Sequence, residues 1–126
     1  MKVWLLSLLG LILFIMLAVF VQNKVQTNTR KLDQEIKRVN STLNRKQWSQ
    51  TLEQLKGVKK KWERVKPMWA VIIHHQEIDS IDQALTRTLE ATKSKNYTQA
   101  QIELGSLQHF IRHVPEREKF NLVNIF

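Results

Sequence analysis

Residues 3–21 read VWLLSLLGLILFIMLAVFV, nineteen positions without a charge, and this stretch constrains the chain more than anything that follows it. As a helix rising about 1.5 Å per residue it reaches roughly 28 Å, close to the ~30 Å hydrocarbon core of a bilayer. A helix satisfies its own backbone hydrogen bonds there, and Trp4 near one end suits the headgroup level. The competing reading is a cleaved signal peptide. The apolar run is longer than a usual h-region, and no small-x-small pair closes it, since Met16 and Phe20 flank Ala18. With no cysteine there is no lipoprotein cleavage box either. The expectation is an uncleaved anchor over residues 1–23, held in lipid through residues 3–21, ahead of a helical soluble domain over 24–126.

The absence of cysteine also excludes disulfides, thiolate metal sites and thiol nucleophiles. Three glycines and two prolines in 126 residues argue for helices over a turn-rich β fold. The net charge of +9 is unevenly placed. Residues 22–66 hold thirteen Lys or Arg against four Asp or Glu, whereas residues 67–126 hold six against seven. The soluble part therefore divides into a basic half and a balanced half.

Past the apolar stretch, QNKVQTNTRK reads as a short polar link. Leu32, Ile36, Val39 and Leu43 then recur at helical spacing up to Asn44, a residue type that tolerates the left-handed conformation at helix ends. A second stripe comprises Leu52, Leu55, Val58, Trp62, Val65, Trp69 and Ile72, with Pro67 expected to kink the helix or end it near Lys66. Ile78, Ile81, Leu85 and Leu89 form a third stripe that stops at Asn96. Ala100, Leu104, Leu107, Ile111 and Val114 form a fourth, closed by Pro115. These patterns predict an all-α chain, with one N-terminal transmembrane helix followed by a small antiparallel bundle of two helical hairpins. The basic hairpin spans 24–66, the neutral hairpin 67–114, and an apolar tail 115–126.

Asn44-x-x-Gln47-Trp48 with Leu52 and Leu55 echoes Asn96-x-x-Gln99-Ala100 with Leu104 and Leu107, at an offset of 52 residues. Folding each hairpin about its Asn sets Ile36 near Leu52, Leu32 near Leu55 and Val25 near Trp62. In the second hairpin it sets Ile81 near Phe110 or Ile111, and Leu85 near Leu107.

Three features are candidates for function. Lys56, Lys59, Lys60, Lys61, Arg64 and Lys66 crowd one stretch. Their plainest reading is a solvated face, but residues 59–66 of a returning helix would lie near the headgroups beside Lys24, Arg30 and Lys31, where anionic lipid attracts each by about 1 kcal/mol. Trp62 and Trp69 interleave with them on the apolar stripe. Core packing is their ordinary role, and partner docking their role if the bundle opens. Exposed aromatics on a known nucleic-acid module are absent, so no nucleic-acid partner is expected. Among the histidines, His109 and His113 share a helix face, and pairing about Asn96 brings Asp82 near His109, Asp79 near His113 and His75 near Glu116. A metal held by His75, Asp79, His109 and His113 is the weakest of the functional readings; surface His–Asp pairs or a mild pH response are more ordinary, and without a His-Glu-x-x-His run there is no hydrolytic signature. The tail from Phe120 to Phe126 reads first as a strap on the bundle, and second as a recognition peptide that inserts Ile125 and Phe126 into a partner. No phosphate loop or nucleophile elbow occurs, so the expected protein is non-enzymatic and needs no cofactor.

The run Trp69-x-x-x-x-x-His75-x-Glu77-Ile78-Asp79-x-Ile81, with Leu104-x-x-Leu107 and the closing Asn124-Ile125-Phe126, resembles a bacterial domain-of-unknown-function family. Its members are small proteins of Gram-positive spore formers with one N-terminal span. The resemblance extends over the whole chain and carries no assigned activity and no site residues. It implies an accessory role, because members are often encoded beside multi-span membrane proteins. The leading expectation is accordingly a membrane-held interaction module that binds a multi-span partner, or itself, through Trp62, Trp69, Ile125 and Phe126. The alternative is an electrostatic binder of anionic lipid or an acidic envelope polymer through the basic hairpin. Lys24, Arg30 and Lys31 beyond the apolar run slightly favour a cytoplasmic bundle, whereas a two-residue amino-terminal tail before the run has the shape of a signal anchor with its C-terminal part exported; the expectation is an extracytoplasmic C-terminal domain at the cell membrane.

Overall fold

The computed structural model describes the backbone of residues 1–125 and the side chains through Val114. The described residues form four helices: α1 (Lys2–Asn44), α2 (Trp48–Ile72), α3 (His75–Lys93) and α4 (Tyr97–Ile125). Helix α1 packs on α2 and α4, and α3 packs on the same two, so the helices close a ring in up-down-up-down order. Two antiparallel hairpins, α1–α2 and α3–α4, make this bundle.

Helix α1 runs unbroken for 43 residues, about 65 Å. The polar link expected at QNKVQTNTRK does not exist. Val25 and Thr29 in that segment are buried and continue the Leu32–Ile36–Val39–Leu43 stripe toward the N-terminus. The pattern is hard to read in sequence because Thr29, Thr42, Thr51, Thr88 and Thr92 occupy core positions. Each of these hydroxyls hydrogen-bonds a carbonyl of its own helix or of the residue just before it, Thr29 Oγ1 to Val25 O at 2.8 Å for example, so burial leaves none of them unpaired. Val21 already packs on the core, so the apolar stretch meets the bundle without a spacer.

The turns obey one rule. Lys46 accepts φ 55° after α1, and Lys95 accepts φ 55° after α3. Around Lys46 the bonds are Arg45 N to Ser41 O, Lys46 N to Leu43 O and Gln47 N to Thr42 O. Around Lys95 the same set recurs as Ser94 N to Glu90 O, Lys95 N to Thr92 O and Asn96 N to Ala91 O. Both are Schellman closures with lysine where glycine is usual. The left-handed residues are thus the lysines. Asn44 is the last helical residue, and Asn96 caps α4 by accepting from Gln99 N at 3.2 Å.

The internal echo is accordingly re-registered, from an offset of 52 to one of 49. At that shift buried residues answer buried residues: Leu32 and Ile81, Ile36 and Leu85, Thr51 and Ala100, Leu55 and Leu104, Val58 and Leu107, Trp62 and Ile111. Moving the first turn from Asn44 to Lys46 slides α2 by about one helical turn against the expected pairing. The bonds Thr42–Gln54 and Glu35–Lys61 bear this out, so Ile36 lies nearer the level of Lys56 to Lys60 than that of Leu52.

Neither proline ends its helix. α2 passes through Pro67 to Ile72, and α4 passes through Pro115. α2 stops where Ile73 and His74 take extended conformations.

Candidate functional sites

Residues 3–20 of α1 carry a sleeve of exposed apolar side chains, from Val3 at 75% to Phe20 at 60% exposure. Among the described residues none of the most apolar window is buried, and α1 is long and apolar enough to cross a membrane. Such a helix near the N-terminus has the length and composition of a membrane span or a signal anchor.

Above it stands the core, led by Trp62 and Trp69, at 1% and 0% exposure and packed edge to face with centroids 5.3 Å apart. Both rings are sealed, so neither offers a docking face while the bundle is closed. Trp62 Nε1 donates to Asp82 Oδ1 at 2.6 Å, and Lys66 Nζ donates to Asp82 Oδ2 at 2.6 Å. Asp82 therefore faces α2, not His109 as the sequence pairing suggested. Its hydrogen bond raises the Lys66 pKa, and the charges of Asp82, Glu63 and Asp79 add to that against a smaller opposing effect of burial. Trp69 Nε1 is buried and finds no acceptor among the described residues.

The basic cluster divides in two. Lys61 pairs with Glu35 at 2.8 Å and Lys66 with Asp82, so both are structural ties between helices. Lys56, Lys59, Lys60 and Arg64 are exposed with no ion pair among the described residues. Glu53 and Glu63 share their stretch and leave it net positive. Because α2 descends antiparallel to α1, residues 59–66 stand roughly 8–24 Å above Val21 along the axis.

Between α3 and α4 a cleft of about 310 Å³ is lined by His74, Glu77, Ser80, His109, Phe110 and His113, with Gln76 and Val114. His109 and His113 stand edge to face at 4.1 Å. His75 and Asp79 do not line it, and among the described residues no group of three or more His, Cys, Asp or Glu is arranged to hold a metal ion. The four-residue set expected from sequence is therefore not assembled. The side chains of Glu116, Ile125 and Phe126 lie outside the described residues.

Sequence reasoning missed Asp33. It accepts from Arg112 Nε at 2.8 Å and Gln108 Nε2 at 3.1 Å, and so ties α1 to α4 across the closing seam of the bundle. Partial burial pushes its carboxyl pKa up, but bonds from Arg112 and Gln108 and the charges of Arg112 and Lys37 outweigh this and hold it below the usual value.

The family model of DUF4363, a domain of unknown function, matches residues 19–125. The chain belongs to that family. The DUF4363 match opens at Val19, near the point where α1 enters the bundle, and takes in all four helices, so the family signature is the bundle with little of the apolar sleeve. The resemblance read from sequence is thus narrower than the whole chain. No curated protein and no solved structure matches the chain.

Proposed function

We propose that this DUF4363 protein is a single-pass, membrane-anchored, non-enzymatic interaction module, serving as an accessory subunit of a multi-span membrane protein. The observation that carries it is helix α1. One uninterrupted helix presents an exposed apolar half and then becomes a wall of a packed four-helix bundle. An anchor joined rigidly to a bundle fixes the height and orientation of the bundle's faces above a bilayer. That arrangement suits a protein that holds a surface in place for a neighbour.

The presented face includes Lys56, Lys59, Lys60 and Arg64, which stand roughly 10–30 Å above the end of the apolar sleeve. At that height a partner's acidic extramembrane segment meets them more readily than the protein's own bilayer does. The electrostatic alternative, an acidic envelope polymer, draws on the same four cations, and the C-terminal domain is taken to face outward. The deciding experiment is crosslinking in native membranes followed by capture, run in parallel on the wild type and on the K56Q/K59Q/K60Q/R64Q variant. A reproducible multi-span protein captured with the wild type and diminished with the variant supports the reading. Capture of lipid or polymer alone would replace it with the alternative.

A further inference from the structure

We infer that the lower end of the bundle is a lipid-contacting floor, seated in the headgroup layer through Val71 and the α2–α3 turn. The inference rests on the anchoring reading above and adds to it a second, peripheral contact with the same bilayer. Val71 is 87% exposed, the most exposed large apolar side chain among the described residues that follow the sleeve. Its neighbours Met68, Ala70 and Ile72 are half-buried and pack on the core, so α2 is firmly held where Val71 projects. No described side chain covers it.

The height of this residue follows from the helix geometry. The α1–α2 hairpin turns at Lys46, and the Glu35–Lys61 and Thr42–Gln54 bonds fix its register. Allowing for side chains that lean toward each helix N-terminus, Val71 comes level with α1 residues 21–25. That is between about 0 and 6 Å beyond the end of the apolar sleeve. The polar zone on each side of the hydrocarbon is about 5–8 Å deep, so Val71 stands inside it. The turn that follows carries exposed His74 and His75, and Lys24 is exposed on α1 near the same level. An apolar projection at the same level as cationic and titratable polar groups suits the boundary between acyl chains and headgroups. Because no linker intervenes between sleeve and core, this end of the bundle rides rigidly on α1.

The chain has no cysteine, so a single introduced thiol reports one place. The full chain carrying V71C, I102C or I12C, each labelled with an environment-sensitive fluorophore, is reconstituted into phosphatidylcholine–phosphatidylglycerol vesicles with lipids brominated at shallow or deep acyl positions. Ile102 is the control, because it is 57% exposed but stands far from the floor, roughly 25–30 Å above Val21. Ile12, midway along the sleeve, reports the anchor itself. The expected result is strong deep quenching at I12C, shallow quenching at V71C at least about twofold above that at I102C, and little at I102C. Quenching at I12C with V71C no different from I102C overturns the floor and leaves the anchor standing. No quenching at I12C overturns the anchoring reading itself. Blue-shifted V71C emission without quenching assigns the floor to a protein neighbour and also overturns the lipid contact.

Discussion

Asp82 is the point where one substitution separates two kinds of interaction. Its carboxylate accepts from the indole N–H of Trp62, whose ring is 1% exposed, and from the ammonium of Lys66. Asp82→Asn keeps an oxygen for Trp62 and removes the charge. The Lys66 and Asp82 side chains are 39% and 35% exposed, so this loss is that of a solvent-screened ion pair, about 0–1 kcal/mol. Asp82→Ala removes both interactions and leaves the indole N–H without its acceptor. An unpaired buried donor costs about 1–3 kcal/mol. Water entering the space of a one-third-exposed carboxylate recovers part of that, so the total for Asp82→Ala is about 2 kcal/mol. Urea unfolding of the full chain in detergent micelles, followed by far-UV circular dichroism, measures both variants. With a slope of about 1–2 kcal/mol/M for a bundle of this size, Asp82→Ala should move the midpoint down by about 1–2 M, and Asp82→Asn by less than half of that. Equal shifts for the two variants would show that the Trp62 bond contributes nothing beyond the ion pair. An Asp82→Ala midpoint indistinguishable from wild type would refute both parts of the reasoning.

The two tryptophans make a complementary pair of tests. Trp62→Phe loses a hydrogen bond whereas Trp69→Phe removes a donor that has no acceptor among the described residues, so Trp69→Phe should be less destabilising by about 1–2 kcal/mol in the same titration. Lys46→Gly and Lys95→Gly relieve a left-handed lysine at each turn, and each should stabilise the bundle by about 0.5–1 kcal/mol, additively, with unchanged helicity. Asp33 has a folded pKa below its unfolded value. Its contribution is therefore present above about pH 4 and lost as pH falls through the folded pKa. Arg112→Ala should flatten this acid limb in urea midpoints measured from pH 5 downward. For Lys66 the folded pKa is raised, so its contribution is present below about pH 10 and fades as pH rises through the folded value. Lys66→Gln should abolish that alkaline loss.

The helices were legible because apolar residues at three- and four-residue steps have one economical solution, a buried stripe. An uncharged run of nineteen residues likewise has one shape that satisfies its backbone in an apolar surrounding. The all-α class, the four stripes and the two hairpins follow from those local regularities. The ends of elements did not follow. Pro67 was expected to kink its helix or end it near Lys66, and Pro115 to close the last stripe; α2 runs on through Pro67 with core residues on either side, and α4 passes Pro115. The turn residues were misassigned because asparagine is the usual left-handed residue after glycine, and nothing local in Arg45-Lys46-Gln47 or Ser94-Lys95-Asn96 marks the lysine. Only the closure of both hairpins at matching lengths selects it.

The amino-acid sequence by itself determined an apolar N-terminal helix, a basic first half and four amphipathic stripes, because charge and periodicity are properties of neighbouring residues along one chain. The tertiary structure alone decided which charges are spent inside the fold. Lys61, Lys66 and Arg112 are tied to Glu35, Asp82 and Asp33, residues from 16 to 79 positions away, while Lys56, Lys59, Lys60 and Arg64 stay outward. It also decided the height of every face above the apolar sleeve. Both depend on the register between helices, which is set where side chains from distant stretches pack together and cannot be read from any one of them.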